Sequence, residues 1–163
     1  MSSKVWYTGV RVFILNEKKE LLMVQHTFKD ETPFWVLPGG SIEDGEFIAD
    51  AVVREVMEET GLKVQPGRLL FTVEEKSPEG VLGYTFYVMA ELEGGSMVLG
   101  YDPELPDDAQ ILSGVNFFSR QQLMGMSKAY PEIVQGRFWQ MLDSGRFDHD
   151  PHAIFPSKGF GQR

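Results

Sequence analysis

The sequence predicts an α+β fold in which one mixed, largely antiparallel sheet lies between two helical layers. Three observations indicate it. Several segments rich in β-branched and aromatic residues alternate with polar turns, which is typical of strands. One long helix is predicted in the stretch Gly40 to Leu62, and shorter helical segments follow the last predicted strand. At 163 residues, the chain has the length of one domain with one substantial core.

The first predicted element is an N-terminal β-hairpin. Val5 to Asn16 is rich in β-branched and aromatic residues, and the polar turn 16–20 separates it from a second strand, Leu21 to His26. Arg11 lies among the apolar residues of the first strand. A charge in that setting needs a partner, and phosphate is one. We therefore expect Arg11 to contact a phosphorylated ligand, with a cap on the sheet edge as the alternative.

A glycine turn precedes the central helix. The glycines of Pro38-Gly39-Gly40 let the backbone approach an ion or a phosphate without interference from a Cβ, so Gly39 and Gly40 are candidate ligand-binding residues. Trp35 lies just before this turn. It is predicted either to stack on a nucleobase or to anchor the core.

The central helix carries three glutamates on one face. Glu55, Glu58 and Glu59 are spaced i, i+3 and i+4, and at about 100° per residue they fall within roughly a third of the helix circumference. Like charges at this spacing repel one another, and a bound divalent cation would remove the conflict. Carboxylate oxygens suit Mg²⁺ or Mn²⁺. The sequence therefore predicts a metal site here, with a solvated acidic face as the alternative.

The opposite side of this helix is predicted to be buried. Apolar and small residues recur there at helical period, so the three glutamates are expected to face outward from a packed support. Gly61 is placed to end the helix in a left-handed conformation. The predicted buried stripe consists of Ala49, Val52, Val53, Val56 and Thr60.

Three further strands and a short helix are predicted after the central helix. Ser119 is suited to cap the short helix, because its hydroxyl can accept a hydrogen bond from a backbone N–H of the first turn. The loop 94–108 is acidic, and Asp107 and Asp108 are candidates for an additional metal ligand or for solvated side chains. The predicted strands are 69–75, 81–93 and 111–118, and the helix spans 120–124.

The C-terminal part divides into a helix and a tail. A helix is expected over Pro131 to Ser144, with Pro131 in its first turn and Gly145 at its end. Residues 1–145 are therefore interpreted as one domain. The remaining tail, 146–163, contains prolines and glycines, and we predict it to be a docking arm or a dimer arm, which makes a homodimer the expected assembly.

The stretch from Gly40 to Leu62 resembles the Nudix box: a glycine, five residues, a glutamate, seven residues, and then R-E-U-x-E-E-x-G-U, where U is aliphatic. Seven fixed identities and two aliphatic positions are filled without a gap, which makes coincidence very unlikely. The chain is therefore identified as a member of the Nudix family, and the resemblance implies that family's α/β/α sandwich. The matching residues are Gly40, Glu46, Arg54, Glu55, Val56, Glu58, Glu59, Gly61 and Leu62.

The resemblance implies a reaction and its metal ligands. The reaction is hydrolysis of a nucleoside diphosphate linked to another moiety, by water attack at phosphorus with Mg²⁺ or Mn²⁺ present. Glu55 and Glu59 are implied as primary metal ligands, Glu58 as a ligand or as the general base, and the Gly39 carbonyl as a further ligand. These glutamates are therefore the predicted catalytic residues.

Arg54 is the remaining predicted catalytic residue. It is expected to orient a neighbouring carboxylate, Glu46 or Glu55, rather than to contact the substrate.

The expected substrate is of the ADP-ribose or nucleotide-sugar type. Pro78 lies sixteen residues beyond Leu62, and a proline near that offset resembles a mark of the family's ADP-ribose pyrophosphatases. One alternative is a pyrophosphohydrolase that removes unwanted nucleoside triphosphates. Another is a non-catalytic sensor that binds a nucleotide on the same scaffold. Degraded box glutamates would mark a sensor, and all of them are present here.

The composition excludes several classes of function. A net charge of −9, a pI near 4.8 and the lack of a basic stripe argue against binding to polymeric nucleic acid. The lack of cysteine excludes disulfides, thiolate zinc sites and a cysteine nucleophile. No stretch has the length of a membrane span and no signal-peptide pattern is visible, so a cytoplasmic location is expected. The expected partner is a small nucleotide-derived substrate.

Overall fold

The computed structural model describes residues 7–29, 31–77, 79–103, 105–145 and 154–156. The strands are β1 (Tyr7–Leu15), β2 (Leu21–His26), β3 (Phe34–Val36), β4 (Leu62–Lys76), β5 (Leu82–Gly95), β6 (Leu112–Phe118), β7 (Ala129–Tyr130) and β8 (Ile154–Pro156). The helices are α1 (Ile48–Thr60), α2 (Arg120–Met124) and α3 (Arg137–Ser144). The predicted strands occur in the predicted order, but β4 starts at Leu62, ahead of the predicted strand 69–75, and β3, β7 and β8 were not predicted.

The strands form one mixed sheet. Its order is β7-β3-β2-β1-β5-β4-β8, and β6 also pairs with β2. The pairs β1–β2, β2–β3, β2–β6 and β4–β5 are antiparallel, whereas β1–β5, β3–β7 and β4–β8 are parallel. The central parallel pair places β1 beside β5, with Arg11 opposite Tyr87.

Helices cover both faces of this sheet. Successive side chains of a strand point to opposite faces. Val10 and Val12 of β1 therefore pack with α1, whereas Phe13 packs with α3 and stacks on Phe138 at a ring-centroid distance of 4.4 Å. The predicted α/β/α sandwich is confirmed. No helix among the described residues is both long and apolar enough to cross a membrane.

Helix α1 is buried along a different stripe from the predicted one. Ala49 and Val53 are exposed, although the sequence predicts both to be buried. Glu55 and Glu59 are only 7% and 8% exposed. The predicted outward orientation is therefore wrong for these two glutamates, because the glycine turn Pro38-Gly39-Gly40 receives their carboxylates. The buried residues of α1 are Ala51, Val52, Glu55, Val56, Glu59 and Thr60.

The helix predicted over Pro131 to Ser144 is divided in two. Residues Glu132–Gln135 form a 3-10 turn, and α3 starts only after Gly136. Gly136 adopts φ −165° and ψ −71°, outside the helical region, and glycine is among the weakest helix formers. By contrast, α2 has its predicted bounds, and Ser119 caps it by accepting a hydrogen bond from the Gln122 N–H.

Most of the predicted tail, 146–163, lies outside the described residues. Its segment Ile154–Pro156 forms β8, parallel to β4 at Thr72 to Glu74. The tail thus adds an edge strand to the sheet of its own chain, and its role as a dimer arm stays a prediction. Pro78 also lies outside the described residues, so its connection to substrate choice stays a prediction.

Candidate active site

The glycine turn is held rigidly against β1. The backbone N–H of Val10 donates to the Gly40 carbonyl at 2.9 Å, and the Val12 N–H donates to the Pro38 carbonyl at the same distance. Gly39 has φ +144°, and a Cβ built there would lie 2.0 Å from the Val10 carbonyl oxygen. Only glycine fits this position, since both its conformation and its distance from β1 exclude a side chain.

Glu59 is buried against this turn. Its Oε2 accepts a hydrogen bond from the Gly39 N–H at 2.9 Å. Burial raises the pKa of Glu59 to about 8, although the charge of Arg11 and the Gly39 N–H act in the opposite direction. A carboxylate so deeply buried is costly without a compensating cation.

His26 lies beside Glu59. Its Nε2 lies 3.9 Å from Glu59 Oε1. Burial lowers the pKa of His26 to about 4, and the charge of Arg11 contributes to this shift. At pH 7 the imidazole is therefore neutral, so the contact is polar rather than an ion pair.

Gly40 leaves the space that the Glu55 carboxylate fills. A Cβ built on Gly40 would lie 2.5 Å from Glu55 Oε1 and 2.7 Å from Oε2. Unlike Gly39, Gly40 has no positive φ, so its role is only to leave room. The two glycines thus receive the two buried carboxylates of α1 side by side.

Arg54 connects the carboxylates of this site. It forms a two-pronged pair with Glu46, Nε to Oε1 at 2.8 Å and Nη2 to Oε2 at 2.9 Å. Its Nη1 donates to Glu55 Oε1 at 2.9 Å and to Glu58 Oε2 at 3.2 Å, and Nη2 also donates to the Ser41 carbonyl. The expected contacts with Glu46 and Glu55 are thus both present, and Arg54 orients them from outside the glycine turn.

The hydrogen bonds of Arg11 go to the backbone of the turn. Its Nη1 donates to the Leu37 and Gly39 carbonyls, both at 3.0 Å. This carbonyl of Gly39 is the one that the family resemblance implies as a metal ligand. Arg11 therefore lies beside the site and fixes the turn, and a contact with substrate phosphate stays a prediction.

Trp35 faces away from the glutamates. It packs against the core shared with α3, and its ring meets Phe118 edge-on at a centroid distance of 4.6 Å. Val36, the next residue of β3, faces the other side with Val24. The structure does not bring Trp35 together with Glu55 and Glu59, which favours the core anchor of its two predicted roles.

Asp102 is a site residue that the sequence did not single out. Burial is the main cause of the raised pKa of Glu58, and the charge of Asp102 raises it further, as it does for Glu59. The charge of Asp102 therefore acts on both carboxylates. Asp107, one of the two predicted ligands in this loop, is instead exposed and accepts a hydrogen bond from the Tyr101 hydroxyl at 2.9 Å.

The three glutamates fit a divalent cation in chemistry. Glu55, Glu58 and Glu59 offer the hard oxygen ligands that Mg²⁺ prefers. Among the described residues, no positively charged side chain donates a hydrogen bond to the buried Glu59 carboxylate. Within those residues, no three acidic, histidine or cysteine side chains converge on one point. We attribute this to Arg54, whose Nη1 lies between the carboxylates of Glu55 and Glu58.

The Arg54–Glu46 pair predicts an acid-sensitive contribution to stability. The hydrogen bonds from Arg54 lower the pKa of Glu46, so its stabilising effect is present above the unfolded pKa and is lost as the pH falls through the folded one. We expect Glu46→Gln to lower the free energy of unfolding by about 1 kcal/mol at pH 7 and by much less at pH 3.5. Urea unfolding at both pH values measures the difference.

Glu43→Gln is the matched control. The Glu43 carboxylate is 58% exposed and lies 4.0 Å from Arg54 Nε, so its loss should cost under about 0.5 kcal/mol. An equal effect of both substitutions, or an effect of Glu46→Gln that does not change with pH, would contradict the assignment.

Comparison with known proteins decides the family. The sequence model of the NUDIX domain matches residues 6–137. The chain belongs to the Nudix hydrolase family. Among curated relatives, the 8-oxo-dGDP phosphatase NUDT18 of Danio rerio is 42% identical over 88 residues, which are 54% of this chain and 26% of that protein. The chain thus spans about a quarter of the length of this Nudix relative.

Solved Nudix structures share the fold. A UDP-X diphosphatase matches with a TM-score of 0.68 and 21% identity, over 94% of this chain and 69% of that one. An ADP-ribose pyrophosphatase of Streptococcus suis matches with a TM-score of 0.60 and 23% identity, over 93% and 98%. At such identities the likeness establishes the fold alone. The predictions of the Nudix family and of its fold are therefore confirmed.

Proposed function

We propose that this chain hydrolyses a phosphoanhydride bond in a nucleoside diphosphate derivative, by water attack at phosphorus with Mg²⁺ or Mn²⁺. One observation carries the proposal: Glu55, Glu58 and Glu59 gather at one end of α1 beside the glycine turn, two of them buried there. A sheet and two helical layers hold α1, so the backbone that carries the three glutamates is in place before any ligand binds. Family membership supports the same reaction class.

The residues of the site have separate tasks in this proposal. A divalent cation, when bound, would neutralise phosphate oxygens. Glu55 and Glu59 would hold it, with the Gly39 carbonyl as a further ligand. Glu58 is the most exposed of the three glutamates, with 27% of its side chain exposed, and it would orient the attacking water or accept its proton.

Two further residues position these groups. Arg54 fixes the directions of Glu55 and Glu58 while its pair with Glu46 anchors it. Arg11 fixes the turn from the other side through the Leu37 and Gly39 carbonyls. Its positive charge also favours the ionised form of Glu59, which is the form that binds a cation.

We place an oxidised guanine deoxynucleoside diphosphate first among the substrates. The name of the relative NUDT18 supports this choice, and that relative is 42% identical over 88 residues, against 21% and 23% for the two solved structures. ADP-ribose or a nucleotide sugar, which the sequence favours, comes second. Nucleoside triphosphates are the third class.

A substrate panel tests the proposal. The purified protein is incubated with Mg²⁺ and, separately, with 8-oxo-dGDP, dGDP, ADP-ribose, UDP-glucose and 8-oxo-dGTP, and the products are resolved by chromatography. We expect 8-oxo-dGMP and inorganic phosphate from 8-oxo-dGDP, with loss of turnover when EDTA is added. In H₂¹⁸O, the labelled product identifies the phosphorus that water attacks. Binding of Mn²⁺ without turnover of any member would favour the sensor instead.

Glu58 and Asp102 can be separated as candidates for the general base. We expect Glu58→Gln to lower kcat by about 100-fold or more while Mn²⁺ affinity changes little, because a general base contributes typically 10²–10⁴-fold. Asp102→Asn should have a smaller effect. Turnover of each variant, with Mn²⁺ affinity measured by electron paramagnetic resonance, gives both values. If Asp102→Asn is the slower variant at unchanged affinity, Asp102 takes the role of the base.

A further inference from the structure

The C-terminal end of α1 is closed by a segment from elsewhere in the chain. The last four carbonyls of a helix have no partner within it. Here the Met57 carbonyl accepts from the Gly61 N–H at 3.0 Å. The other three belong to Glu58, Glu59 and Thr60, and all three accept from the segment 98–101 that follows β5.

These three hydrogen bonds have ordinary lengths and end on three consecutive carbonyls. The Val98 N–H donates to the Thr60 carbonyl at 3.0 Å, the Gly100 N–H to the Glu59 carbonyl at 2.9 Å, and the Tyr101 N–H to the Glu58 carbonyl at 3.1 Å. The carbonyls of two proposed site residues are therefore fixed by residues about forty positions further along the chain. The last turn of a helix is the part that otherwise frays most readily.

Gly100 makes this close approach possible. A Cβ built on Gly100 would lie 1.8 Å from the Glu58 carbonyl oxygen and 2.5 Å from the Glu59 carbonyl carbon. These are backbone atoms of a packed helix, so they cannot move aside cheaply. The segment also packs closely at Gly61, where a Cβ would lie 2.6 Å from the Val98 Cγ2.

The loop beyond this segment is organised by one side chain. The Gln110 amide accepts from the Asp102 N–H at 2.8 Å and donates to the Asp102 and Leu105 carbonyls, both at 2.8 Å. Gln110 thus holds the backbone of Asp102 directly after the segment 98–101.

We propose that the segment 98–101 is a positioning element of the site, that Gly100 is its indispensable residue, and that Gln110 supports it. By fixing the backbone of Glu58 and Glu59, the segment sets where their carboxylates can meet a cation. This inference rests on the proposed function for its catalytic consequence. Its structural and metal-binding consequences can be measured whether or not the substrate is found.

Gly100→Ala tests the proposal. The added methyl group would lift the segment from the helix end and break the three hydrogen bonds. At a temperature where the variant is fully folded, we expect amide hydrogen exchange at positions 98, 100 and 101 to become at least tenfold faster than in the wild type. Mn²⁺ affinity should fall about tenfold, and kcat should fall at least tenfold with little change in KM.

Gly125→Ala is the matched control. Gly125 has φ −88° and ψ −6°, which alanine adopts readily, and a Cβ there would lie 3.6 Å from its neighbours, an ordinary contact. Its Mn²⁺ affinity should stay at the wild-type value. Gln110→Ala is the second variant in case Gly100→Ala does not fold, since it removes three hydrogen bonds without a clash, and it should shift affinity and exchange in the same direction by less.

Two results would overturn the proposal. One is faster amide exchange in the segment with unchanged Mn²⁺ affinity, which would make the contact a purely structural cap. The other is unchanged exchange in Gly100→Ala. If the wild-type protein turns over no substrate but the affinity and exchange results hold, the proposed reaction fails and the positioning role stands.

Discussion

Replacing Glu59 by glutamine is expected to remove metal-dependent turnover while making the metal-free protein more stable. Glu59 is one of the two buried carboxylates beside the glycine turn, and burial raises its pKa to about 8. Glutamine keeps the shape and can still accept from the Gly39 N–H, but it offers a cation no negative charge. We expect kcat to fall about 100-fold or more and Mn²⁺ affinity to fall with it.

The gain in stability has a defined pH dependence. Since the folded pKa of Glu59 is raised, the wild-type protein has no penalty below the unfolded pKa, near 4.5, and a growing penalty as the pH rises toward about 8. In EDTA, Glu59→Gln should therefore be more stable by about 1 to 3 kcal/mol at pH 8, or roughly 2–12 °C in Tm. The two proteins should converge toward pH 4.5. Thermal unfolding at a series of pH values measures this.

Glu93→Gln is the control for this experiment, because Glu93 is exposed on β5 and the substitution removes the same charge. It should change neither turnover nor stability appreciably. A Glu59→Gln protein that is less stable than the wild type in EDTA at pH 8 would show that the carboxylate is stabilised by contacts other than a cation. Full turnover by the Glu59→Gln protein would mean that Glu59 is not a metal ligand needed for the reaction.

The sequence was sufficient to predict the central helix, because the residues that indicate it lie close together along the chain. The spacing of Glu55, Glu58 and Glu59 along α1 and the position of Gly61 depend on residues within a few turns of each other, and both predictions agree with the structure. Which side of the helix is buried is not a local property. Glu55 and Glu59 face inward because Gly39 and Gly40 receive them, and a hydrophobic pattern treats any glutamate as outward-facing.

The remaining differences also come from contacts between distant parts of the chain. Asp102 was indistinguishable from its acidic neighbours by composition, and the pairing of residues 98–101 with the end of α1 brings it to the site. Trp35 precedes the glycine turn in sequence, but strand alternation directs its ring to the opposite face from the Val24 and Val36 side chains. The sequence predicted that Arg11 needs an oxygen partner. It could not show that this oxygen belongs to backbone carbonyls of the glycine turn.

Alanine is expected to lower the stability of the protein at Gly39 and its Mn²⁺ affinity at Gly40. At Gly39 the φ of +144° is strained for alanine, and the new Cβ would lie 2.0 Å from the Val10 carbonyl oxygen, a backbone atom of the central strand. We expect Gly39→Ala to lower the free energy of unfolding by about 3 kcal/mol or more, which is roughly 6–12 °C in Tm for a chain of this size. Urea and thermal unfolding measure the loss.

At Gly40 the new Cβ would meet only the end of a side chain, the Glu55 carboxylate at 2.5–2.7 Å. That carboxylate can rotate away, so Gly40→Ala should cost under about 1 kcal/mol of stability. The rotation would, however, move a proposed metal ligand and break its hydrogen bond with Arg54. We therefore expect Mn²⁺ affinity to fall at least tenfold in a protein that unfolds almost normally, with Gly125→Ala unchanged in both measurements. Equal losses of stability in Gly39→Ala and Gly40→Ala would mean that the turn tolerates no side chain at either position. Unchanged Mn²⁺ affinity in Gly40→Ala would mean that Glu55 does not bind the metal from its position beside Gly40.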